Sequence, residues 1–203
     1  MPPTSMSIRQ ICRSTEALMT PTMNNKAYGI ELHAHRFAAW SACRAAFRGR
    51  TGLNICSGSL ILENCGAANF LSANSLPDPT EIDASHRVWC ENACGTAEHL
   101  GLNISHGIAA KLVNVYLKAR FVCGGQHFHP KVSALHPPVD GILLSSLVAR
   151  GIIQRSRTGN IPSWTKFDLD NYQNVIMRIR DHLGNSPMWM IEEHWDPRLE
   201  VRA

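Results

Sequence analysis

Apolar residues along this chain recur at intervals of three and four, the spacing of helix faces, and nowhere alternate for long enough to pair strands. Between residues 27 and 47, Ile30, Ala34, Phe37 and Ala45 form one stripe, and Leu32, Trp40, Cys43 and Phe47 a second. A segment apolar on most sides predicts a buried central helix, with His33, Arg36, Arg44 and Arg48 at its edge or open end. Ser57 reads as the N-cap of a short helix ending at Gly66. A third helix spans 80–100, with Val88, Trp89, Ala93, Ala97 and Leu100 inward and Gly101 at its C-terminal stop. A fourth spans 107–122 and closes at Gly124-Gly125. Residues 124–136 lack periodicity and read as a loop. Pro137 and Pro138 lead into a helix over 140–149, capped by Gly151. Asp168 caps a final helix with Tyr172, Val175, Ile176, Ile179 and Leu183 on one face. The expectation is all-α: a loosely ordered arm over 1–25, with a short helical piece at 9–18, then one domain over 26–203.

The stretch 100–140 carries the chemistry. A polar helix stops at Gly101, a short glycine-containing hairpin follows through His106, and an apolar helix begins at about Gly107, with Ile108, Ala109 and Lys111 in its first turns. The first N–H groups of a helix have no intrahelical partner and carry the positive dipole end, so an anion such as a phosphate fits there. Gly107 allows close backbone approach. The dipole and burial beside Ile108, Leu112 and Val115 should favour the neutral, nucleophilic amine at Lys111. A carboxylate from Asp140, after Pro138-Val139, completes a nucleophile and charge-stabiliser pair. Each residue also has an ordinary reading. Lys111 shares a stripe with Asn114 and Lys118, which suits a solvated face, and Asp140 suits a helix cap.

Gly107-Ile-Ala-Ala-Lys111, with Pro138-Val-Asp140 following, resembles the helix-hairpin-helix DNA glycosylases, which carry a Gly-Val-Gly-x-Lys hairpin and a downstream Pro-Val-Asp. Asp140 lies 29 positions after Lys111, a separation similar to that of the archaeal-type 8-oxoguanine glycosylases. Ala109 stands where the second hairpin glycine is usual, and no four-cysteine iron–sulfur run follows. The resemblance covers roughly residues 100–143. It implies two helical lobes with a cleft between them, Lys111 as a Schiff-base nucleophile with associated strand-nicking lyase activity, and Asp140 at the mouth of a base pocket. It also implies a duplex DNA partner with a flipped-out base. The base would be an oxidised purine such as 8-oxoguanine, or a hypermodified phage base excised in antiviral defence. No cofactor and no metal are expected for this chemistry.

Composition adds limits. The chain has 203 residues, 44% hydrophobic and 18% charged, with a net charge of +4 that permits a nucleic-acid partner without requiring one. No apolar stretch approaches a membrane span, and residues 1–25 lack the apolar region of a secretory signal, so a cytoplasmic protein is expected; the glycosylase resemblance implies a nucleoid-associated monomer. Seven cysteines in no tight pattern suggest reduced thiols. Cys123, His127 and His129 match no short zinc spacing, and buried thiols beside a polar loop are the favoured reading. The aromatic tail 189–195 either closes the core or lines a base pocket through Trp195 and Glu192. Gln126 and His33 are further pocket candidates, with Trp40 and Phe37 weaker ones. Arg155 and Arg157, with Arg48 and Arg50, read as surface charges or phosphate contacts. Two alternatives to an enzyme stand beside this reading: a hairpin DNA-binding module without catalysis, and a Cys/His metalloprotein.

Overall fold

The computed structural model describes residues 28–47, 53–154 and 163–196. The arm expected over 1–25 lies outside them, as do Arg48, Arg50, Arg155 and Arg157. The described residues are all-helical, with no strand among them. Seven α-helices succeed one another: α1 Ile30–Ala46, α2 Ile55–Cys65, α3 Ile82–His99, α4 His106–Leu117, α5 Pro130–Ser133, α6 Gly141–Ala149 and α7 Leu169–Leu183. None of them is long and apolar enough to cross a membrane.

Helix α4 is the axis of the fold. Ten of its twelve residues are buried, Lys111 and Asn114 among them, so the stripe that suits a solvated face is in fact inside. Helices α1 and α3 pack along it, and α7 joins on a further side. The apolar interior is one continuous cluster, running from Ala38 and Ala42 of α1 through Leu112 and Tyr116 of α4 to Leu143 of α6 and Ile179 of α7. Burial of the larger of these side chains, such as Leu112, Leu143 and Ile179, contributes ~1.5–3 kcal/mol each, and α4 supplies the largest share.

Local signals set most helix ends. Asp140 and Asp168 cap α6 and α7 by accepting the N–H groups of Leu143 and Asn171 at 2.9 and 2.8 Å. Gly101, at φ 72°, takes the left-handed conformation that stops the chain after α3. Asn54, rather than Ser57, caps α2. Its side chain accepts from the Ser57 N–H while the Ser57 hydroxyl accepts from the Asn54 N–H, a reciprocal box that uses both residues.

The stretch after α4 differs from the expectation of one helix to 122 and then a loop. Helix α4 widens at Lys118 into a π-helical stretch, Lys118–Gln126, which turns at Gly125 (φ 83°). The four-residue α5 follows, capped by His129. Gln126 reaches back so that its side-chain oxygen accepts the Ala73 N–H at 3.1 Å. Five described cysteines are free thiols, as expected, whereas Cys56 is disulfide-bonded.

Candidate active site

Lys111 projects from the second turn of α4 and Asp140 stands at the start of α6, and the fold brings them together. Lys111 Nζ lies 3.3 Å from Asp140 Oδ2. Lys111 is only 8% exposed, and its ammonium sits over the Trp164 ring, 4.4 Å from the centroid. Asp140 is fixed from three sides. Oδ1 accepts the Leu143 N–H, while Oδ2 receives Lys111 and the Trp195 indole N–H, the latter at 3.1 Å. A carboxylate and an indole face both attract a cation, so these neighbours hold the Lys111 amine in its charged form.

The pair forms one wall of a hollow of about 340 Å³ whose other lining includes Phe37, Lys118, Glu192 and Trp195. That volume falls within the ~300–1,000 Å³ of small-ligand sites. Lys118 and Glu192 form an ion pair across it. Burial pushes the Glu192 carboxyl above its ordinary range; Lys118 pulls it back, and Asp140 adds to the rise. Phe37 and Trp40, stacked with centroids 6.1 Å apart, stand exposed on α1 beside the opening.

Of the residues expected in a base pocket, Trp195 and Glu192 are at the hollow. Gln126 and His33 are not. Gln126 is spent on the Ala73 backbone, and His33 is exposed, with its Nδ1 hydrogen-bonded to the Tyr28 hydroxyl at 2.7 Å. Trp189 instead donates to the His127 carbonyl at 3.4 Å.

The hairpin also departs from expectation. The N–H of Gly107 donates to the Phe167 carbonyl at 3.1 Å, that of Ile108 to the Ser105 hydroxyl at 3.2 Å, and that of Ala109 to the Ser105 carbonyl at 3.0 Å. His106 is half-buried and the three residues after it are buried. A Cβ on Gly107 would lie 1.9 Å from the Trp164 carbonyl oxygen. Glycine is therefore required by the 163–167 segment that crosses this helix start, and of the N–H groups expected to grip a phosphate, those of Gly107, Ile108 and Ala109 are already partnered. The same segment carries Trp164 to the Lys111 ammonium.

Sequence reasoning missed the buried polar network that sets the distance between Lys111 and Asp140. Asn114, 1% exposed and one turn beyond Lys111, donates through Nδ2 to the Pro137 carbonyl at 3.0 Å and the Tyr172 hydroxyl at 2.8 Å, and accepts from His86 Nε2 at 2.8 Å. Tyr172 donates onward to His136 Nδ1 at 3.1 Å, and His136 Nε2 to Asp83 at 2.7 Å. Arg180 meets the same carboxylate with two contacts of 3.1 and 2.8 Å. Burial drives His86 and His136 below the ordinary imidazole range. Asp83, hydrogen-bonded by His136 and Arg180, lies well below the usual carboxylate value. Pro137 sits three residues before Asp140, so the network clamps the aspartate's segment to α4.

Metal-ligand chemistry does not gather where Cys123, His127 and His129 suggested. His129 caps α5 and contacts Asn74, His127 packs on Trp189, and Cys123 lines the hollow. Among the described residues, the group of ligating atoms close enough to share an ion is His86, Cys90 and His106. Compared with protein-family models, with curated proteins and with solved structures, the chain matches none of them.

Proposed function

We propose that this protein is a DNA N-glycosylase of the helix-hairpin-helix type, with the hollow beside Lys111 as the cleft between its helical lobes and as the pocket for an extruded base. The observation that carries the reading is the convergence of Lys111 and Asp140, remote in sequence and 3.3 Å apart at the wall of a hollow. Fixed separation of a nucleophile from a proton acceptor is what such a reaction needs.

In the proposed reaction Asp140 takes a proton from the Lys111 ammonium. The amine then attacks C1′ as the bond to the base breaks; the electron pair of that bond leaves with the base, which takes the proton from Asp140. The carboxylate so restored stabilises the positive charge on the sugar and removes the proton from the new C1′ ammonium, so that the nitrogen lone pair expels O4′, opens the ring and forms the Schiff base at Lys111. Loss of a C2′ proton then permits β-elimination of the 3′ phosphate. Phe37 and Trp195 offer aromatic surfaces for the flipped base, and Lys118 with Glu192 offers polar contacts to its edge. Phosphate binding through the hairpin forms no part of this proposal, because the N–H groups of Gly107, Ile108 and Ala109 are partnered. The substrate class is a modified or damaged base in duplex DNA, the oxidised purine or hypermodified phage base of the sequence reading. The protein would act as a monomer without an organic cofactor.

The test is a panel of duplexes carrying single damaged or phage-type bases, incubated with enzyme in excess. Release of a free base from one member, lost in Lys111→Ala, supports the enzyme. Binding to every duplex without release from any supports a hairpin binding module instead.

A further inference from the structure

His86 and Cys90 lie one turn apart on α3, and His106 is the first residue of α4. Their ligating atoms all fall within 4.8 Å of one another. Cys90 Sγ is 3.7 Å from His86 Nδ1. Around a tetrahedral zinc ion, bond lengths of ~2.3 Å to sulfur and ~2.0–2.1 Å to nitrogen place S and N about 3.6 Å apart. The first pair already has this spacing, and His106 has about 1 Å to close.

Three further features point to a ligand rather than to packing. His106 Nε2 is buried and has no hydrogen-bond partner, a costly state for a polar atom unless something binds it. His86 donates through Nε2 to Asn114 Oδ1 at 2.8 Å, which leaves Nδ1 as the ring nitrogen with a free lone pair; Cys90 Sγ lies 3.7 Å from both ring nitrogens, so the ring turns to aim Nδ1 at a shared ion. An outer hydrogen bond that fixes the tautomer is the usual companion of a metal-bound imidazole. Finally, a hollow of about 770 Å³ lined by Glu91, Cys94 and His106 reaches the site from the His106 side; His86 and Cys90 lie buried behind it.

We propose that His86, Cys90 and His106 form a binding site for a divalent cation of the zinc class, with water in the fourth position, that clamps α3 to the start of α4. Two imidazoles and a thiolate are a borderline-soft set that suits zinc better than magnesium or calcium. Binding replaces the Cys90 S–H bond by a metal–sulfur bond and releases the proton to solvent. The site is separate from the Lys111 hollow, and its occupation depends neither on DNA nor on glycosylase chemistry. Its role is structural: it ties together the two helices joined by the 100–105 turn, which no covalent bond otherwise braces.

The test uses the full chain, stripped with chelator under reducing conditions and titrated with Co²⁺. One equivalent should bind, with a thiolate-to-cobalt charge-transfer band in the near ultraviolet and tetrahedral d–d absorption in the visible, both erased by Zn²⁺. Cys90→Ser should abolish the charge-transfer band, while Cys94→Ser and Cys65→Ser retain it. His106→Asn should weaken Co²⁺ binding by more than ~100-fold, beyond what loss of an outer hydrogen bond costs. Absence of stoichiometric binding, or a band that survives Cys90→Ser, overturns the site and leaves Cys90 as a thiol donating to His86. If Cys90→Ser does not fold, as judged by circular dichroism, His106→Asn decides: unchanged affinity rejects the proposal.

Discussion

Gly107→Ala separates two explanations of the glycine at the start of α4. If Gly107 serves only to let a phosphate approach, alanine should stabilise the free protein, because alanine in a helix is favoured over glycine by ~1 kcal/mol. The structure predicts the opposite sign. The added Cβ would stand 1.9 Å from the Trp164 carbonyl oxygen and 2.9 Å from Phe167 Cβ. Contact with backbone cannot be relieved by a rotamer change, so the 163–167 segment must lift away. Overpacking costs ~1–3 kcal/mol and occasionally more, and the Gly107 N–H to Phe167 carbonyl bond adds ~1 kcal/mol. Set against the helix gain, a net loss of about 1–3 kcal/mol remains. At ~2–4 °C per kcal/mol for a chain of this size, Tm should fall by about 2–12 °C. Lifting the segment also takes the Trp164 ring off Lys111, so its fluorescence should shift toward that of an exposed indole. Thermal denaturation followed by circular dichroism, with emission spectra at 25 °C, reads both effects. An unchanged or raised Tm would refute the packing argument.

Other outcomes follow from the same geometry. Asp140→Asn should keep its cap, since asparagine caps about as well as aspartate, and leave Tm within a few degrees, yet base release should fall by ~10²–10⁴-fold because no proton acceptor faces Lys111; equal activity would contradict the mechanism. Asn114→Ala should cost about 2–4 kcal/mol in urea denaturation, since it strands the buried Pro137 carbonyl and His86 Nε2; a loss under 1 kcal/mol would show that the network does not clamp the segment. His86 and His136 are held below the ordinary imidazole value by burial, so the unfolded chain binds more protons than the folded one as pH falls below ~6.5. Their contribution is complete above that pH and is lost below it. In chelator-treated protein the urea midpoint should drop between pH 7.5 and 5.5, and a flat profile would count against neutral buried rings.

Much of this arrangement was legible because local chemistry and tertiary role coincide. Asp140 and Asp168 cap helices whatever surrounds them, Gly101 stops α3, and the Lys111 and Asp140 motif brought the two side chains to one place before any coordinates. The parts that were not legible are those in which distant segments decide. The occupancy of the Gly107 N–H depends on Phe167, 60 residues later, and nothing near residue 107 announces it. Asn114, His136 and Tyr172 are each unremarkable by type, and only burial turns them into a network. Residues 118–126 form a wide turn whose i, i+5 bonding leaves no 3.6-residue periodicity to read. Neither residue type nor position in a loop fixes where Gln126 and His33 point, and the Ala73 N–H and the Tyr28 hydroxyl decide it.

The central claim is that the Lys111 amine is the nucleophile in a base-sized hollow. Borohydride added during incubation with a reactive duplex should reduce the Schiff base and leave one covalent protein–DNA adduct per chain. Proteolysis and mass spectrometry should then place the modification on residue 111, with no adduct formed by Lys111→Ala. An adduct mapped to Lys118, to Lys131 or to any other amine, or base release that persists undiminished in Lys111→Ala, would contradict the account.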